Sequence, residues 1–291
     1  VRVSVGQPLV PALYVVATPI GNLDDISLRA VKVLSAVDAI AAEDTRHSQR
    51  LLQHLGIVRP LISLHEHNET ERVRQLLDKI EAGQSIALIS DAGTPLISDP
   101  GYVVVRALRS AGIRVVPVPG ACAAIAALSV SGLPTDRFTF EGFLPAKAGA
   151  RAEMLKRLVD EARTLVFYES PHRLVDMLEA VIAVMSGDRE VVVARELTKA
   201  FETIYSGAAH SVLEQIREDS FGERGEFVVL VRGAPPRGDA VPTLDPQHLA
   251  CMLVDAMPVK AAARVLAEVT GQSKNYWYEA LLALKDVGGA R

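Results

Sequence analysis

The sequence predicts an α/β protein made of two α/β domains, followed by a small helical domain at the C-terminus. Three observations support this prediction. Short apolar β-rich runs alternate with helical patterns through residues 13–231. Hydrophobic residues make up 49% of the chain and aromatic residues only 5%, which is typical of sheets packed with Val, Leu, Ile and Ala. After residue 242 no strand pattern remains.

The expected domain boundaries follow this alternation and the linker composition. The first domain covers residues 1–134, the second residues 135–235 and the helical domain residues 243–291. A basic small-residue segment, 145–151, leads into the second alternating unit, and a Pro-rich segment, 234–242, precedes the tail. Because strands alternate with helices in both α/β domains, we expect parallel strand pairing in both.

Capping and breaking residues place the individual elements. Ser27 is expected to cap one helix, and Asn68 and Glu71 form a capping box for another. In the tail, Pro246 and Pro258 are expected near helix starts, Ser273 as a cap and Gly271 at a helix end, an arrangement compatible with a helix-turn-helix. The predicted strands are 13–18, 37–42, 85–90, 114–118, 164–168, 190–194 and 226–231, and the predicted α/β-domain helices include 68–81, 102–110, 172–185 and 210–218.

Charge, cysteine content and hydropathy exclude several protein classes. The net charge of −4 argues against a protein held to nucleic acid by overall positive charge, so an RNA partner would need a local patch. Cys122 and Cys251 form no CxxC pair, which argues against a disulfide framework or a zinc knuckle and fits a reducing cytoplasm. Residues 115–133 are apolar but interrupted by Pro and Gly, so we expect no membrane span. The N-terminal residues lack the charged start, long apolar run and cleavage site of a signal peptide, so none is expected.

Three glycine-bearing loops follow predicted strands of the first domain, at residues 18–22, 91–101 and 119–123. Strand ends of an open α/β sheet meet at one edge, so these loops are expected to line one pocket. Glycine allows close approach of the backbone to a ligand, and proline stiffens the turns. Loop 91–101 is longer than the usual βα connection of about 2–6 residues. The sequence contains neither a P-loop nor a G-x-G-x-x-G motif, so no motif supports binding of a nucleoside triphosphate or a dinucleotide.

Five blocks carry a more specific signal: ATPIGNLD at 17–24, AEDTR at 42–46, SDAGTPLISDPG at 90–101, PGACAA at 119–124 and YESPHR at 168–173. They resemble the ribosomal RNA small subunit methyltransferase I family of the tetrapyrrole methylase superfamily, and the resemblance covers nearly the whole chain. It implies a tetrapyrrole methylase-like fold with S-adenosylmethionine bound in a cleft between the two α/β domains. It also implies a cytoplasmic homodimer that methylates the 2′-OH of a cytidine ribose in the decoding region of 16S rRNA, within the small ribosomal subunit. No DNA partner is expected.

The resemblance also implies which residues contact the methyl donor. One group packs against it, a second contacts its polar end, a third lies beneath it and a fourth closes over the adenine. In that order these are Pro19, Ile20 and Gly21; Asp91, Gly93, Ile97, Ser98 and Asp99; Cys122 and Ala123; and Tyr168, Leu197, Glu226 and Phe227.

Methyl transfer to a hydroxyl requires alignment of the nucleophile and loss of its proton. The candidate proton acceptors are Glu43 or Asp44, with His65 and Glu169 as rivals. The alternatives are structural: Asp44 as a helix cap, and His65 in a solvated loop before Asn68. His65 and His67 lack a third ligand at metal-site spacing, so no metal is expected.

Basic residues outside the loops are candidates for phosphate contact, because Arg forms bidentate bonds with phosphate. They are Arg46, Lys147, Arg151, Arg173, Arg195, Lys199 and, in the tail, Lys274. A solvated helix face is the alternative for segment 145–157. Trp277, near Lys274, is interpreted as a packing residue rather than a base-stacking one.

Two other functions compete with rRNA methylation. A small-molecule methylase of the tetrapyrrole type would share the pocket, but the polar clusters and the helical tail argue against it. A non-catalytic RNA-binding protein of ribosome assembly would share the tail, but the intact loop 91–101 argues against it.

Overall fold

The computed structural model describes residues 9–65, 67–235 and 245–288. The chain divides into two compact units, Val1–Ala234 and Pro235–Arg291. The predicted domain boundary at residues 134/135 falls inside the first unit and stays a prediction. Most of the predicted linker, residues 236–242, lies outside the described residues. Within the described residues no helix is both long and apolar enough to cross a membrane.

The first sheet is parallel throughout, as predicted, with strand order β3-β2-β4-β1-β5. Its strands read as continuous apolar runs because helices cover both faces: Leu34 and Leu52 pack on one face, Leu76 and Leu108 on the other. The strands are β1 (Ala12–Val16), β2 (Ala39–Ala42), β3 (Leu61–Ser63), β4 (Ser85–Ile89) and β5 (Val115–Val118), and the helices are α1 (Leu28–Ala36), α2 (Thr45–His54), α3 (Glu69–Glu81), α4 (Tyr102–Ser110) and α5 (Ala123–Ser131).

The second sheet contradicts the predicted parallel pairing. Only β6 and β7 are parallel, and the pairs β7–β10, β10–β8 and β8–β9 are antiparallel. The reason is that β8 and β9 are joined by the short segment 196–202 instead of a crossover helix. The strands are β6 (Phe138–Phe143), β7 (Thr164–Glu169), β8 (Glu190–Arg195), β9 (Thr203–Ala208) and β10 (Phe227–Val231), and the helices are α6 (Ala148–Leu158), α7 (Leu174–Met185) and α8 (Ala209–Glu218).

Helix α5 connects the two sheets. It follows β5 of the first sheet, yet its residues Ala127 and Leu128 pack against Val192 and Leu230 of the second. Ile20, from the loop after β1, joins the same apolar cluster. The edge of the first sheet at which its strands end, which we call the loop edge, therefore packs against one face of the second sheet.

The C-terminal unit is helical, as predicted, with α9 (Pro246–Ala256), α10 (Val259–Thr270) and α11 (Lys274–Gly288). The Ser273 hydroxyl accepts a hydrogen bond from the Tyr276 N–H at 3.2 Å, which confirms the predicted cap. Trp277 is buried, and its Nε1 donates to the Thr270 hydroxyl at 2.7 Å. The interpretation of Trp277 as a packing residue is thereby confirmed.

The predicted capping box at Asn68 is wrong. The Asn68 side chain makes no cap hydrogen bond to α3. Its oxygen accepts instead from the His65 N–H at 2.9 Å, and its amide donates to the Ser63 carbonyl at 3.2 Å. The side chain closes the preceding turn, a role that Asn fulfils as readily as capping.

Candidate functional site

The loops after β1, β4 and β5 meet at one edge of the first sheet, as the sequence predicted. Thr18 and Gly93 exchange two backbone hydrogen bonds, of 2.9 and 3.1 Å. The Thr94 hydroxyl donates to the carbonyl of Ala121 at 3.0 Å. β4 and β5 flank β1, and the connections after β1 and β4 lead to opposite sides of the sheet. Such a switch in strand order is where open α/β sheets bind ligands.

The backbone of loop 90–101 is held in an uncommon conformation. Gly93 and Gly101 have φ angles of +83° and +124°, which glycine tolerates. Leu96 and Ser98 have φ angles of 74° and 66°, and non-glycine residues adopt such angles at a cost of about 1–3 kcal/mol each. Strain of this kind persists only where the surrounding structure enforces it, and it clusters at ligand sites.

Glu69 provides part of that enforcement, a role that sequence reasoning missed. Its carboxylate is buried and accepts hydrogen bonds from the Gly101 N–H at 2.9 Å and the Val103 N–H at 3.0 Å. These N–H groups lie at the start of α4 and have no intrahelical partner. The first residue of α3 therefore caps α4 and anchors the end of loop 90–101. No sequence signal identified this contact, because Glu69 and Gly101 are 32 residues apart in sequence.

A cavity of about 390 Å³, the first cavity, opens between the loop edge and the second sheet. Of the predicted donor-contact residues it is lined by Ile20, Gly93, Ile97, Ser98, Asp99, Cys122, Ala123, Tyr168, Leu197, Glu226 and Phe227. A second cavity of about 330 Å³ is lined by the remaining three, Pro19, Gly21 and Asp91. Ile20, Ala92 and Glu226 line both cavities, which therefore adjoin. The structure brings these residues together; their contact with a donor stays a prediction.

The aromatic wall of the first cavity comes from the second sheet. The Tyr168 ring packs edge-to-face on Phe140, with 4.9 Å between ring centroids, and on Phe143 at 5.9 Å. The Tyr168 hydroxyl accepts a hydrogen bond from the Ala124 N–H at 3.3 Å. Burial raises the pKa of Tyr168 to about 12, so its hydroxyl stays protonated at neutral pH.

Two carboxyl groups near the loop edge bind protons unusually tightly. Burial raises the pKa of Asp99 to about 6. Burial, followed by the negative charges of Asp91 and Asp99, raises the pKa of Glu43 to about 7. The Asp91 carboxylate in turn accepts a hydrogen bond from the Asp44 N–H at 3.2 Å. Among the described residues Glu43 is not part of either cavity lining, but it interacts with one residue from each.

The other predicted proton acceptors occupy different environments. Asp44 caps α2: its Oδ1 accepts from the N–H groups of Arg46 at 2.8 Å and His47 at 3.3 Å, and these bonds lower its pKa. His65 is exposed beside Asn68 and lines neither cavity in the described part of the chain. Glu169 lines the first cavity with a buried carboxylate. Its Oε1 accepts from the Ser170 N–H at 2.8 Å.

The residues predicted to contact phosphate fall into an exposed group and a buried or partly buried group. Arg46, Lys147 and Lys274 are exposed. Arg151 and Arg195 are buried, with hydrogen bonds to Asp176 at 3.2 Å and to the Arg224 carbonyl at 2.8 Å. The Arg173 guanidinium bonds the Leu144 carbonyl and lies 3.4 Å from Glu169 Oε1. For Arg151, Arg173 and Arg195 this placement argues against the predicted role, because their guanidinium groups already have partners inside the protein.

The segment 196–199, which we call the strap, borders both cavities: Leu197 lines the first and Lys199 lines the second. Lys199 Nζ donates to Glu196 at 2.8 Å and to Glu226 at 2.9 Å. The Thr198 hydroxyl accepts from the Asn22 N–H at 3.1 Å, so the strap also contacts the loop after β1. Glu196 and Thr198 have φ angles of 51° and 66° without being glycine. This strain gave no sequence signal.

No group of three potential metal ligands occurs among residues 9–65, 67–235 and 245–288.

Residues 12–212 match the model of the Tetrapyrrole (Corrin/Porphyrin) Methylases, and residues 243–285 match that of the RsmI C-terminal HTH domain. Ribosomal RNA small subunit methyltransferase I of Escherichia coli O157:H7 is 53% identical over 267 residues, covering 92% of this chain and 93% of that protein. The same enzyme of Pseudomonas aeruginosa is 53% identical over 271 residues, covering 93% and 96%. The chain belongs to the ribosomal RNA small subunit methyltransferase I family.

The solved structures agree on the fold. Uroporphyrin-III C-methyl transferase from Thermus thermophilus, complexed with S-adenyl homocysteine, superposes with a TM-score of 0.52 at 19% identity. The match covers 75% of this chain and 96% of that one. The tetrapyrrole methylase-like fold predicted from the sequence is thereby confirmed.

Proposed function

We propose that this protein is an S-adenosylmethionine-dependent rRNA methyltransferase that modifies the 2′-OH of a cytidine ribose in the decoding region of 16S rRNA. The observation that carries the proposal is the first cavity, built at the switch in strand order from the blocks that resemble this family. Curated relatives at 53% identity bear the name of the rRNA enzyme. By the same reasoning we propose that the protein is a cytoplasmic homodimer and that its substrate is the small ribosomal subunit.

The residues around the first cavity fit S-adenosylmethionine. A volume of about 390 Å³ lies within the range of roughly 300–1,000 Å³ typical of small-molecule sites. A Cβ added at Gly93 would lie 3.2 Å from Ile20 Cγ2, so only glycine leaves this wall undisturbed. Ile20, Ala123 and Phe227 offer apolar surface for an adenine, and Ser98 and Asp99 offer polar groups for the amino-acid end.

When bound, S-adenosylmethionine supplies an electrophilic methyl group. The protein must hold the acceptor hydroxyl close to that group, keep water away and receive the hydroxyl proton. Glu43 is the proton acceptor that we propose, because a pKa of about 7 suits a general base at neutral pH. Its charge interactions with Asp99, which lines the first cavity, and Asp91, which lines the second, support this proposal.

A tetrapyrrole-type methylase is the second candidate, favoured only by the fold that this chain shares with uroporphyrin-III C-methyl transferase. The C-terminal match to the RsmI C-terminal HTH domain supports the RNA enzyme instead. Against a non-catalytic assembly protein stand the intact loop 90–101 and the donor-sized cavity that it lines.

The decisive experiment incubates the purified protein with labelled S-adenosylmethionine and small subunits from a strain lacking this modification. We expect one new 2′-O-methyl mark at a decoding-region cytidine when 16S rRNA is mapped. Donor binding without any mark would contradict the rRNA assignment, and labelling of a tetrapyrrole in a parallel reaction would favour the second candidate.

A further inference from the structure

The second cavity adjoins the first; three residues predicted to contact the donor, Pro19, Gly21 and Asp91, line it, and the other eleven line the first cavity. The two share Ile20, Ala92 and Glu226, so a ligand in the second cavity lies next to one in the first. An acceptor must approach its donor in this way, because the reacting atoms have to come within about 3–3.5 Å before transfer. The position of the second cavity therefore suits the methyl acceptor.

Helix α2 forms one side of the second cavity and is unusually basic. Its sequence, TRHSQRLLQH, contains arginine and histidine but no acidic residue. Arg50 and His47 line the cavity, and both are exposed. Arg46 stands four residues before Arg50, on the same side of the helix, with its side chain 94% exposed.

The two arginines have few partners within the described part of the protein. In the described part of the chain Arg50 makes no hydrogen bond or ion pair, and the acidic partner of Arg46 is the helix cap Asp44, at 4.0 Å. Like charges at i,i+4 spacing destabilise a helix slightly. Because Arg50 also lines the second cavity, the pair favours a role in binding an anion over a structural one.

The remaining lining adds contacts that suit a nucleotide. Lys199 Nζ lies on the opposite side, held by Glu196 and Glu226. Leu23 lines the cavity with 41% of its surface exposed, an apolar contact for a base or a ribose. Arginine forks and an exposed apolar side chain are among the groups that single-stranded RNA recognition uses, whereas Lys199 is already paired with two carboxylates.

We propose that the second cavity and the exposed side of α2 bind the acceptor RNA strand, with Arg46 and Arg50 on phosphates flanking the target nucleotide and the target ribose in the second cavity. This inference rests on the proposed function and adds a location for the acceptor. Arg50 and His47 become RNA-contact residues that the sequence did not single out.

The test compares Arg50→Gln and the double variant R46Q/R50Q with Arg109→Gln. Arg109 is exposed in the last turn of α4. Helices that follow parallel strands begin at the same edge of the sheet, so Arg109 lies toward the edge opposite the start of α2. Each variant is titrated with small subunits lacking the modification, at several salt concentrations, and separately with S-adenosylmethionine. Circular dichroism establishes that each variant is folded.

We expect Arg50→Gln to weaken RNA binding about tenfold and the double variant more, with Arg109→Gln like the wild type. Each lost phosphate contact should also reduce the slope of log affinity against log salt by about 0.7–0.9. Donor affinity should stay unchanged. Arg50→Lys should recover part of the RNA affinity, because it restores the charge without the bidentate fork.

Two outcomes would overturn the inference while the proposed function stands. In the first, the wild-type protein methylates rRNA but R46Q/R50Q keeps the RNA affinity and the salt slope of the wild type. In the second, the arginine variants lose RNA affinity and donor affinity equally. The first outcome would make α2 a solvated or protein-contacting helix. Wild-type protein that neither binds nor methylates small subunits would overturn the proposed function itself.

Discussion

Two segments that border the cavities, loop 90–101 and the strap, are built in different ways. Loop 90–101 is shaped by its backbone, with positive φ angles at Gly93, Leu96, Ser98 and Gly101 and a buried carboxylate, that of Glu69, at its end. The strap is held by charged side chains, since Lys199 Nζ bonds both Glu196 and Glu226 and remains 27% exposed.

This difference predicts how strongly each segment resists change. A buried N–H group left without a partner costs about 1–3 kcal/mol, whereas a partly exposed ion pair contributes about 0–1 kcal/mol. Loop 90–101 is therefore expected to be the stiff segment and the strap the adjustable one. Substitutions in either segment, with matched controls elsewhere, test that expectation.

The largest effect is expected from Glu69→Ala. It leaves the buried N–H group of Gly101 and the partly buried N–H group of Val103 without an acceptor, so the free energy of unfolding should fall by about 1–3 kcal/mol. Donor affinity should fall as well, because the end of loop 90–101 is released. Urea titration measures the first effect and calorimetric titration with S-adenosylmethionine the second.

The matched control is Glu71→Ala, an exposed position in the same helical turn, expected to change stability by less than about 0.5 kcal/mol. Equal stability of the two variants would mean that Glu69 does not anchor the loop.

Gly93→Val is expected to act mainly on donor binding. A β-branched residue at φ +83° is strained, and its Cβ would press on Ile20 Cγ2 in the cavity wall. We expect donor affinity to fall at least about tenfold, equivalent to 1.4 kcal/mol. Gly112→Val is the control, since Gly112 has a φ of +78° and nothing within 4 Å of an added Cβ. If both variants bind the donor like the wild type, Gly93 does not shape its site.

The same contrast explains what the sequence could predict. Loop 90–101 was identified from its glycines and prolines because those residues permit backbone conformations that others avoid. The strap reaches similar φ angles at Glu196 and Thr198, which carry no such signature. Its contacts with Asn22 and Glu226 join residues far apart in sequence, and only the folded chain brings them together.

Strand pairing was predicted correctly for the first sheet and wrongly for the second. Parallel pairing of the first sheet follows from its continuous apolar strands separated by helices, and the prediction was confirmed. The second sheet was predicted wrongly because no strand was predicted at Thr203–Ala208, which follows β8 without a crossover helix; the strand at Phe138–Phe143 was not predicted either. Partly exposed edge strands lack the apolar run that identifies a buried one.

Glu43→Gln is expected to change the dependence on pH. The proposed proton acceptor works only when ionised, so wild-type methyl transfer should increase as pH rises through about 7, and the variant should lack that increase. Single-turnover rates at saturating donor, from pH 5.5 to 8.5, measure the pH dependence of methyl transfer. An unchanged rate profile in Glu43→Gln would assign the proton to another group.

The raised pKa of Glu43 also predicts how its contribution to stability depends on pH. Because the folded-state pKa is raised above 4.5, Glu43 contributes stability below pH 4.5 that is lost as pH rises through about 7.

The smallest effect is expected from Lys199→Met, which breaks the ion pairs of the strap. Lys199 and Glu196 have side-chain exposures of 27% and 18%, compared with 61% and 64% for Lys156 and Glu153. We therefore expect the free energy of unfolding to fall by about 0.5–1 kcal/mol for Lys199→Met and almost not at all for Lys156→Met, measured by urea unfolding.

The cost of Lys199→Met should also depend on pH. Burial raises the pKa of Glu196, but hydrogen bonds from Lys199 and the Glu226 backbone outweigh it and leave the pKa lowered. A lowered folded-state pKa gives stability above the ordinary value of 4.5 that is lost as pH falls, so the cost of Lys199→Met should shrink toward acid pH. A cost as large as that of Glu69→Ala would mean that the strap is as stiff as the loop, and the contrast between the two segments would disappear.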